Sequence, residues 1–273
     1  MKVIIATDLS EKSLLALETV GECGPAPFES VVLLHVIDLD LYTAGGSIPQ
    51  IREWAESELA EHASALRERG FEVNVRVEQG KVLSVVENFA LAEDADLVIV
   101  TNLGKSAAAG RVFGTTAERL ATEGSVPVLI DRVVEQDALW CRAAASPFAR
   151  PLVAVDLGEE LHLGLTFIAS LPGVERIRVV HAAADRNAER DARRQLDIAM
   201  SRWSGFVPLE TEVVVGDPVE IIPAQANEWD ATLVCLQPAK RGLERLWEGS
   251  VSNRVARKTE LPVLFVPREI ADW

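Results

Sequence analysis

The sequence has little positive charge for its length. Its 273 residues include 27 Lys and Arg against 42 Asp and Glu, which gives a formal net charge of -15. Non-specific affinity for nucleic acid comes from Lys and Arg that displace counterions from phosphates, so this balance argues against a DNA- or RNA-binding protein. An anionic membrane surface would repel the chain for the same reason. We therefore expect neither nucleic acid nor a membrane as partner.

Long apolar runs and clustered cysteines are also absent. No run reaches the roughly 18 apolar residues of a membrane span, and the opening "MKVIIATDLSEKS" turns polar at Thr7, which does not fit a secretion signal. Cys23, Cys141 and Cys235 lie far apart and form no CxxC pair. This pattern is typical of a reducing compartment and offers no metal-site spacing. The expectation is a cytoplasmic protein without a metal site.

Short β-branched runs alternate with amphipathic segments of helix length. The runs predict strands at 2–8, 30–38, 72–78, 96–100 and 126–131, and the segments predict helices at 11–22, 50–69, 81–93 and 115–123. Ser10 is the predicted N-cap of the first helix. Strands that alternate with helices indicate a parallel sheet, and near-continuously apolar strands indicate helices on both faces.

The same order of strands then repeats. Matching runs occur at 150–156, 176–183, 211–218, 230–236 and 261–267, which indicates an internal duplication. The segment between the copies has no trustworthy periodicity and contains Ser-Pro, a loop signal. We predict one domain at 1–132, a linker at 133–149 and a second domain at 150–273. His35 and His181 occupy equivalent positions, which favours a shared structural hydrogen bond over catalysis.

Several stretches resemble the universal stress protein family. They are "IIATDLSEKS", "LLHVID", "DADLVIV" and "GTTAERLATEGSVPVLI", and the resemblance covers nearly the whole chain twice. It implies an α/β fold of two tandem doubly wound domains, each a five-stranded parallel sheet in the order 3-2-1-4-5 flanked by helices. Nucleotide-binding members of the family hold ATP at the carboxyl ends of the strands, where ligands of open α/β sheets bind.

Binding members of the family carry G-x2-G-x9-G-(S/T) after the fourth strand. Here Gly104, Gly114 and Thr115 match this motif, but Thr101 stands where the first glycine belongs. If the backbone there needs positive φ, a β-branched residue costs about 1–2 kcal/mol and weakens binding tenfold or so. If it does not, Thr101 offers another hydroxyl. The sequence leaves both alternatives open.

The resemblance assigns further nucleotide contacts in the first copy. The predicted binding residues are Ala6, Thr7, Asp8, Val36, Thr101, Gly104, Gly114, Thr115 and Thr116. Lys105 and Arg111 could offset phosphate charge, together with Mg or Mn. The competing interpretation is structural, with Asp8 as a helix cap and the two basic side chains in a solvated loop. No catalytic residue or metal ligand is predicted.

The second copy departs from the motif. Asp156 is retained, but Gln237 and Lys240 replace the two early glycines, and the interval to Gly249-Ser250 is shorter by one residue. Long side chains at these positions would fill the space of a triphosphate. We expect this copy to serve as a partner domain for the first.

Other nucleotide and hydrolase motifs fail on spacing. Gly104-Lys105-Ser106 resembles the end of a P-loop, but Ile99 stands where that motif needs glycine. No G-x-G-x-x-G follows the first strand, and no G-x-S-x-G appears. The segment 39–50, with Gly45, Gly46 and the single tyrosine Tyr42, suits either a lid over the site or a plain surface loop.

Two functional interpretations remain. In the first, the protein binds ATP or a related adenine nucleotide and acts as a stress sensor or regulator through conformation and assembly. Slow ATP hydrolysis is compatible with such a site, although no catalytic base is recognisable. In the second, the protein is a nucleotide-independent scaffold that engages another protein. The resemblance also predicts an internal pseudo-dimer through the fifth strands, with homodimerisation as a further expectation.

Overall fold

The computed structural model describes residues 1–38, 47–103, 114–157, 164–201, 203–237 and 250–267. The chain divides into two compact units, Met1–Ala145 and Ser146–Trp273. Within the described ranges, no helix is both long and apolar enough to cross a lipid bilayer.

The first unit is a doubly wound α/β domain. Its elements are β1 (Lys2–Thr7), α1 (Glu11–Leu14), α2 (Ala16–Cys23), β2 (Ser30–Ile37), α3 (Ile48–Glu68), β3 (Val73–Gln79), α4 (Val82–Ala92), β4 (Leu97–Thr101), α5 (Thr115–Glu123) and β5 (Val128–Asp131). The strands are parallel in the order β3-β2-β1-β4-β5, the predicted 3-2-1-4-5. The predicted helix 11–22 is two short helices that meet at Leu15, and Ser10 caps the first of them.

The core of this unit explains the apolar runs. Ile4, Ile5, Leu33, Leu34 and Ile99 on the three central strands are fully buried. A strand covered by helices on both faces needs apolar side chains on both sides, so its sequence does not alternate. The continuous apolar runs of the sequence therefore follow from the burial of these strands on both faces.

Part of the predicted linker is a β-hairpin. β6 (Val133–Gln136) pairs antiparallel with β7 (Leu139–Arg142). Asp137 and Ala138 between them have φ of 51° and 63°, which is the conformation of a two-residue type I′ turn. Such turns are normally recognised by Asn-Gly or Asp-Gly, and Asp-Ala lacks that signal. The hairpin belongs to the first compact unit.

The second unit repeats the architecture. Its elements are β8 (Pro151–Ala154), α6 (Leu165–Ser170), β9 (Ile177–Ala183), α7 (Arg186–Met200), β10 (Leu209–Val215), α8 (Pro218–Glu228), β11 (Leu233–Leu236), α9 (Val251–Lys258) and β12 (Val263–Phe265). The strands are parallel in the order β10-β9-β8-β11-β12, again 3-2-1-4-5. The predicted tandem of doubly wound domains is confirmed.

Arginine side chains cover the outer strand of the first unit. Backbone carbonyls on the side of β3 away from β2 include those of Val73 and Val77. Arg67 Nε and Nη2 donate to Val73 O at 3.1 and 2.6 Å, and Arg52 donates to Val77 O. Because unpaired edge carbonyls can recruit another strand, these bonds protect the edge of the sheet.

Candidate functional site

A cavity of about 430 Å³ opens at the carboxyl ends of β1 and β4. Its walls come from β1, β2, β4, α4 and the start of α5. The strand order reverses between β1 and β4, which is where ligands of open α/β sheets bind. Every predicted nucleotide contact that the structure describes lines this cavity: Ala6, Thr7, Asp8, Val36, Thr101, Gly114, Thr115 and Thr116.

Three predicted residues lie outside the described part of the chain. They are Gly104, Lys105 and Arg111. The proposed lid overlaps residues 39–46, which also lie outside it, while Ser47 is the N-cap of α3. These predictions stay predictions.

The first wall is the turn that follows β1. Ser10 donates to Asp8 Oδ1 through its backbone N–H at 3.0 Å and its hydroxyl at 2.6 Å. Thr7 Oγ1 accepts from the N–H of Leu9 at 3.0 Å and lies 2.7 Å from Ser13 Oγ. Leu9 adopts a φ of 61°, an uncommon conformation for a leucine that the bonds on either side of it help to hold. The helix cap is Ser10 and not Asp8, so Asp8 supports the cap by accepting from Ser10. Asp8 lines the cavity at the same time.

The second wall begins at Thr101, the last residue of β4. Thr101 does not have positive φ, so the strain that a threonine would suffer at a glycine position does not arise. Its Oγ1 donates to Leu103 O at 2.9 Å. This hydroxyl fixes the chain as it leaves the strand. The structure removes the alternative in which backbone strain weakens binding, and a contact of Thr101 with a nucleotide stays a prediction.

The N-terminus of α5 completes this wall. Gly114 is the N-cap with a φ of -70°, and no side chain of the described residues caps the helix. Among the residues that the structure describes, a Cβ added at Gly114 would meet only Asn102 O, at 3.6 Å. Thr115 and Thr116 follow as the first two helical residues. A helix N-terminus without a side-chain cap presents backbone N–H groups and the positive end of the helix dipole to an anion.

The third wall is apolar, and Val36 is the one member of it that the sequence analysis predicts. Leu34 and Val36 of β2 face Val82 and Val86 of α4 across the same cavity. The only sequence signal for the α4 residues is their i, i+4 spacing, which places two valines on one face of the helix. Asp38 also lines the cavity, and its Oδ1 lies 3.9 Å from Lys81 Nζ.

The two equivalent histidines make equivalent hydrogen bonds. His35 Nδ1 lies 2.9 Å from Thr7 O, and His181 Nδ1 lies 2.9 Å from Val155 O. A carbonyl oxygen only accepts, so Nδ1 carries the proton in both rings. Each histidine thus ties the second strand of its sheet to the end of the first, and the predicted structural role is confirmed.

The corresponding end of the second unit is built differently. Ser250 is the N-cap of α9, and its hydroxyl accepts from Asn253 N–H at 3.2 Å. Ser252 Oγ donates to Gln237 O at 2.6 Å. The motif alignment pairs Ser250 with Thr115, whereas the structure gives Ser250 the capping place that Gly114 has in the first unit. A capping hydroxyl competes with an anion for the first-turn N–H groups.

The oxygen-bearing side chains around the cavity decide how the expected Mg²⁺ or Mn²⁺ ion could be held. Within the described residues, no cluster of three or more His, Cys, Asp or Glu side chains could hold a metal ion. Asp8 and Asp38 are the carboxylates that line the cavity. Mg²⁺ in nucleotide sites commonly takes one or two carboxylates, with phosphate and water supplying the rest. This arrangement fits a cation that arrives with a nucleotide.

The chain matches known proteins along most of its length. The profile of the Universal stress protein family matches residues 1–132 and 162–267. A crystal structure of a universal stress protein from Archaeoglobus fulgidus is 22% identical, covers 99% of this chain and 97% of its own, and has a TM-score of 0.76. A functionally unknown protein from Pseudomonas aeruginosa PAO1 is 16% identical, with coverage of 98% and 92% and a TM-score of 0.65. No curated protein matches the sequence.

Proposed function

The chain belongs to the universal stress protein family, and from this premise we propose that its first unit binds ATP or a related adenine nucleotide. The observation that carries the proposal is the cavity of about 430 Å³ at the switch point of the first sheet. Its volume lies within the roughly 300–1,000 Å³ that is usual for small-molecule sites.

The three walls of the cavity match the three parts of a nucleotide. Val36, Val82 and Val86 offer apolar contact to a base. Asp8 supplies a carboxylate that can accept hydrogen bonds from ribose hydroxyls. Gly114 and Thr115 present the start of α5 to the phosphates. A Mg²⁺ or Mn²⁺ ion would reach the site on the phosphates, with Asp8 or Asp38 as its protein ligand.

The proposed role is regulatory. The sequence offers no catalytic base, so occupancy of the site by nucleotide, rather than turnover, would report the state of the cell. The output would be a change in conformation or assembly. Internal pairing of the two domains through their fifth strands and homodimerisation of the chain both stay predictions.

A nucleotide-independent scaffold is the second candidate. One observation favours it in part, because the hydroxyl of Ser250 caps α9 in the second unit, at the place where the first unit has Gly114. A chain with one degenerate copy is compatible with a family member that acts through protein contacts. This alternative predicts that neither unit binds ATP.

Titration calorimetry with Mg-ATP separates the two candidates. We expect micromolar binding at one site, and a loss of at least tenfold in Gly114→Val, which corresponds to about 1.4 kcal/mol. The added Cβ would lie 3.6 Å from Asn102 O, an ordinary van der Waals distance, and it meets no other atom of the described residues, so we expect this variant to fold. The protein is first checked for nucleotide that co-purified with it.

A matched pair of variants controls the experiment. Asp8→Asn keeps an Oδ1 acceptor for Ser10 but removes the charge, and it should weaken binding of Mg-ATP. Asp156→Asn makes the same change at the equivalent strand end of the second unit and should leave the affinity unchanged. Absence of heat in the unmodified protein, or equal losses in both Asn variants, would refute the proposal.

A further inference from the structure

The β6–β7 hairpin is anchored at its base by a buried arginine. Arg142 Nε donates to Asp131 Oδ2 at 2.9 Å, Nη1 to Glu22 Oε2 at 2.9 Å and Nη2 to Ala145 O at 3.1 Å. The Arg142 side chain is 3% exposed. These bonds join the base of the hairpin to β5 and α2.

Asn102 joins the hairpin to the wall of the cavity that is formed by α5. Its side-chain Oδ1 accepts from the N–H of Val133, the first residue of β6, at 2.7 Å. Its backbone oxygen accepts from Gly114 N–H at 2.6 Å, and its own N–H donates to Asp131 O at 2.9 Å. Asn102 is buried. One residue thus holds both the N-cap of α5 and the start of the hairpin.

A second contact joins the hairpin to the opposite wall. Lys12 Nζ on α1 lies 4.2 Å from the centroid of the Trp140 ring on β7, within the usual range of a cation–π interaction. Ser10, the N-cap of α1, donates to Asp8 at the cavity. The hairpin is therefore linked to both sides of the cavity, to α1 directly through Trp140 and to α5 indirectly through Asn102.

From these contacts we infer that Asn102 is a positioning residue and that the β6–β7 hairpin is coupled to occupancy of the nucleotide site. The inference rests on the proposed function. A phosphate that binds at the start of α5 restrains Gly114, and the restraint passes through Asn102 to Val133. Because coupling free energies are reciprocal, a loosened hairpin must weaken the nucleotide by the same factor.

Hydrogen exchange measured by mass spectrometry on the full chain, with and without Mg-ATP, tests the coupling. We expect Mg-ATP to slow amide exchange in residues 133–142 by about fivefold, the lower end of ordinary coupling factors. Asn102→Ala removes the side-chain acceptor and keeps the backbone bond to Gly114. It should abolish the ATP-dependent slowing and weaken ATP by a similar factor.

Two further variants separate coupling from general stability. Trp140→Leu removes the contact with Lys12 and should reduce the ATP-dependent slowing in a chain that keeps Asn102. Leu139→Ser alters an exposed residue of the same strand, 68% exposed, and should leave the slowing intact. The difference between free and ATP-bound exchange is the readout, since a merely structural role would change both states alike.

The exchange and calorimetry results test the coupling, the role of Asn102 and the proposed function separately. ATP binding with unchanged exchange in 133–142 would overturn the coupling and leave the proposed function standing. Slowing that persists in Asn102→Ala would overturn the positioning role of Asn102, because the restraint would then not pass through that side chain. Absence of ATP binding in calorimetry would refute the proposed function and the coupling with it.

Discussion

Removal of the Arg142 side chain should destabilise the first unit severely. The Asp131 side chain is fully buried, and Arg142 Nε lies 2.9 Å from its Oδ2. Thr19 also donates to Oδ2. In Arg142→Met the packing volume is largely kept, but the carboxylate stays in the core without its counter-charge.

The expected loss is about 3–5 kcal/mol at pH 7, the usual cost of leaving one partner of a buried ion pair alone. Burial raises the pKa of Asp131, and the nearby Arg142 opposes that rise. The folded state of the variant therefore takes up a proton more readily than the unfolded chain. Stability then falls as the pH rises from the ordinary Asp pKa of about 3.9 towards the raised value. The free energy of unfolding that Arg142→Met loses relative to the unmodified protein should therefore become smaller as the pH is lowered.

Urea unfolding at pH 7 and pH 5 measures both effects. The set comprises the unmodified protein, Arg142→Met, Asp131→Asn and the double variant. We expect the double variant to lose less than the sum of the single losses, because removing the carboxylate together with the guanidinium leaves neither charge buried alone. A loss below about 1 kcal/mol in Arg142→Met would refute the reasoning, because that is the stability that an exposed ion pair contributes. Strict additivity would refute it as well.

Three further predictions follow from particular contacts. Thr101→Gly should not improve the affinity for Mg-ATP by more than about threefold, because Thr101 has no positive φ whose strain a glycine would relieve. A gain of about tenfold in calorimetry would instead mean that the threonine side chain obstructs the ligand. Ala138→Gly should slow amide exchange of the hairpin by roughly three- to fivefold, since glycine removes up to about 1 kcal/mol of strain at a φ of 63°. Faster exchange in this variant would contradict the type I′ assignment. The double variant Arg52→Met, Arg67→Met should self-associate as its concentration rises in sedimentation velocity, because it uncovers the backbone carbonyls of β3. If the variant stays monodisperse at all concentrations, these bonds do not protect the edge of the sheet.

Much of the site could be read from the sequence because its residues lie where strands end. Thr7 and Asp8 follow an apolar run, and Gly114 and Thr115 precede an amphipathic helix. In a parallel sheet the carboxyl ends of all strands meet at one edge, so these residues converge whatever the details of packing. The local pattern and the topology together imply the site.

The missed residues depend on contacts between distant segments. Val82 and Val86 reach the cavity only because α4 crosses the sheet beside β2. Asn102 carries no motif signal, and its importance comes from partners 12 and 31 positions away along the chain, Gly114 and Val133. The hairpin carries no turn signal either, because its turn is Asp-Ala, whose φ values the surrounding contacts impose.

The sequence by itself determined the two α/β copies, which follow from periodicity and duplication, both properties of local side-chain order. The strand order and the edge of the sheet where a ligand would lie came from the resemblance of its motifs to the universal stress protein family. Only the tertiary structure decided that Thr101 has no positive φ, that Ser250 caps α9 with its hydroxyl whereas glycine is the N-cap of α5, and that Asn102 ties α5 to the hairpin. Backbone dihedrals and hydrogen-bond partners are set by how distant segments meet, and no local pattern encodes that.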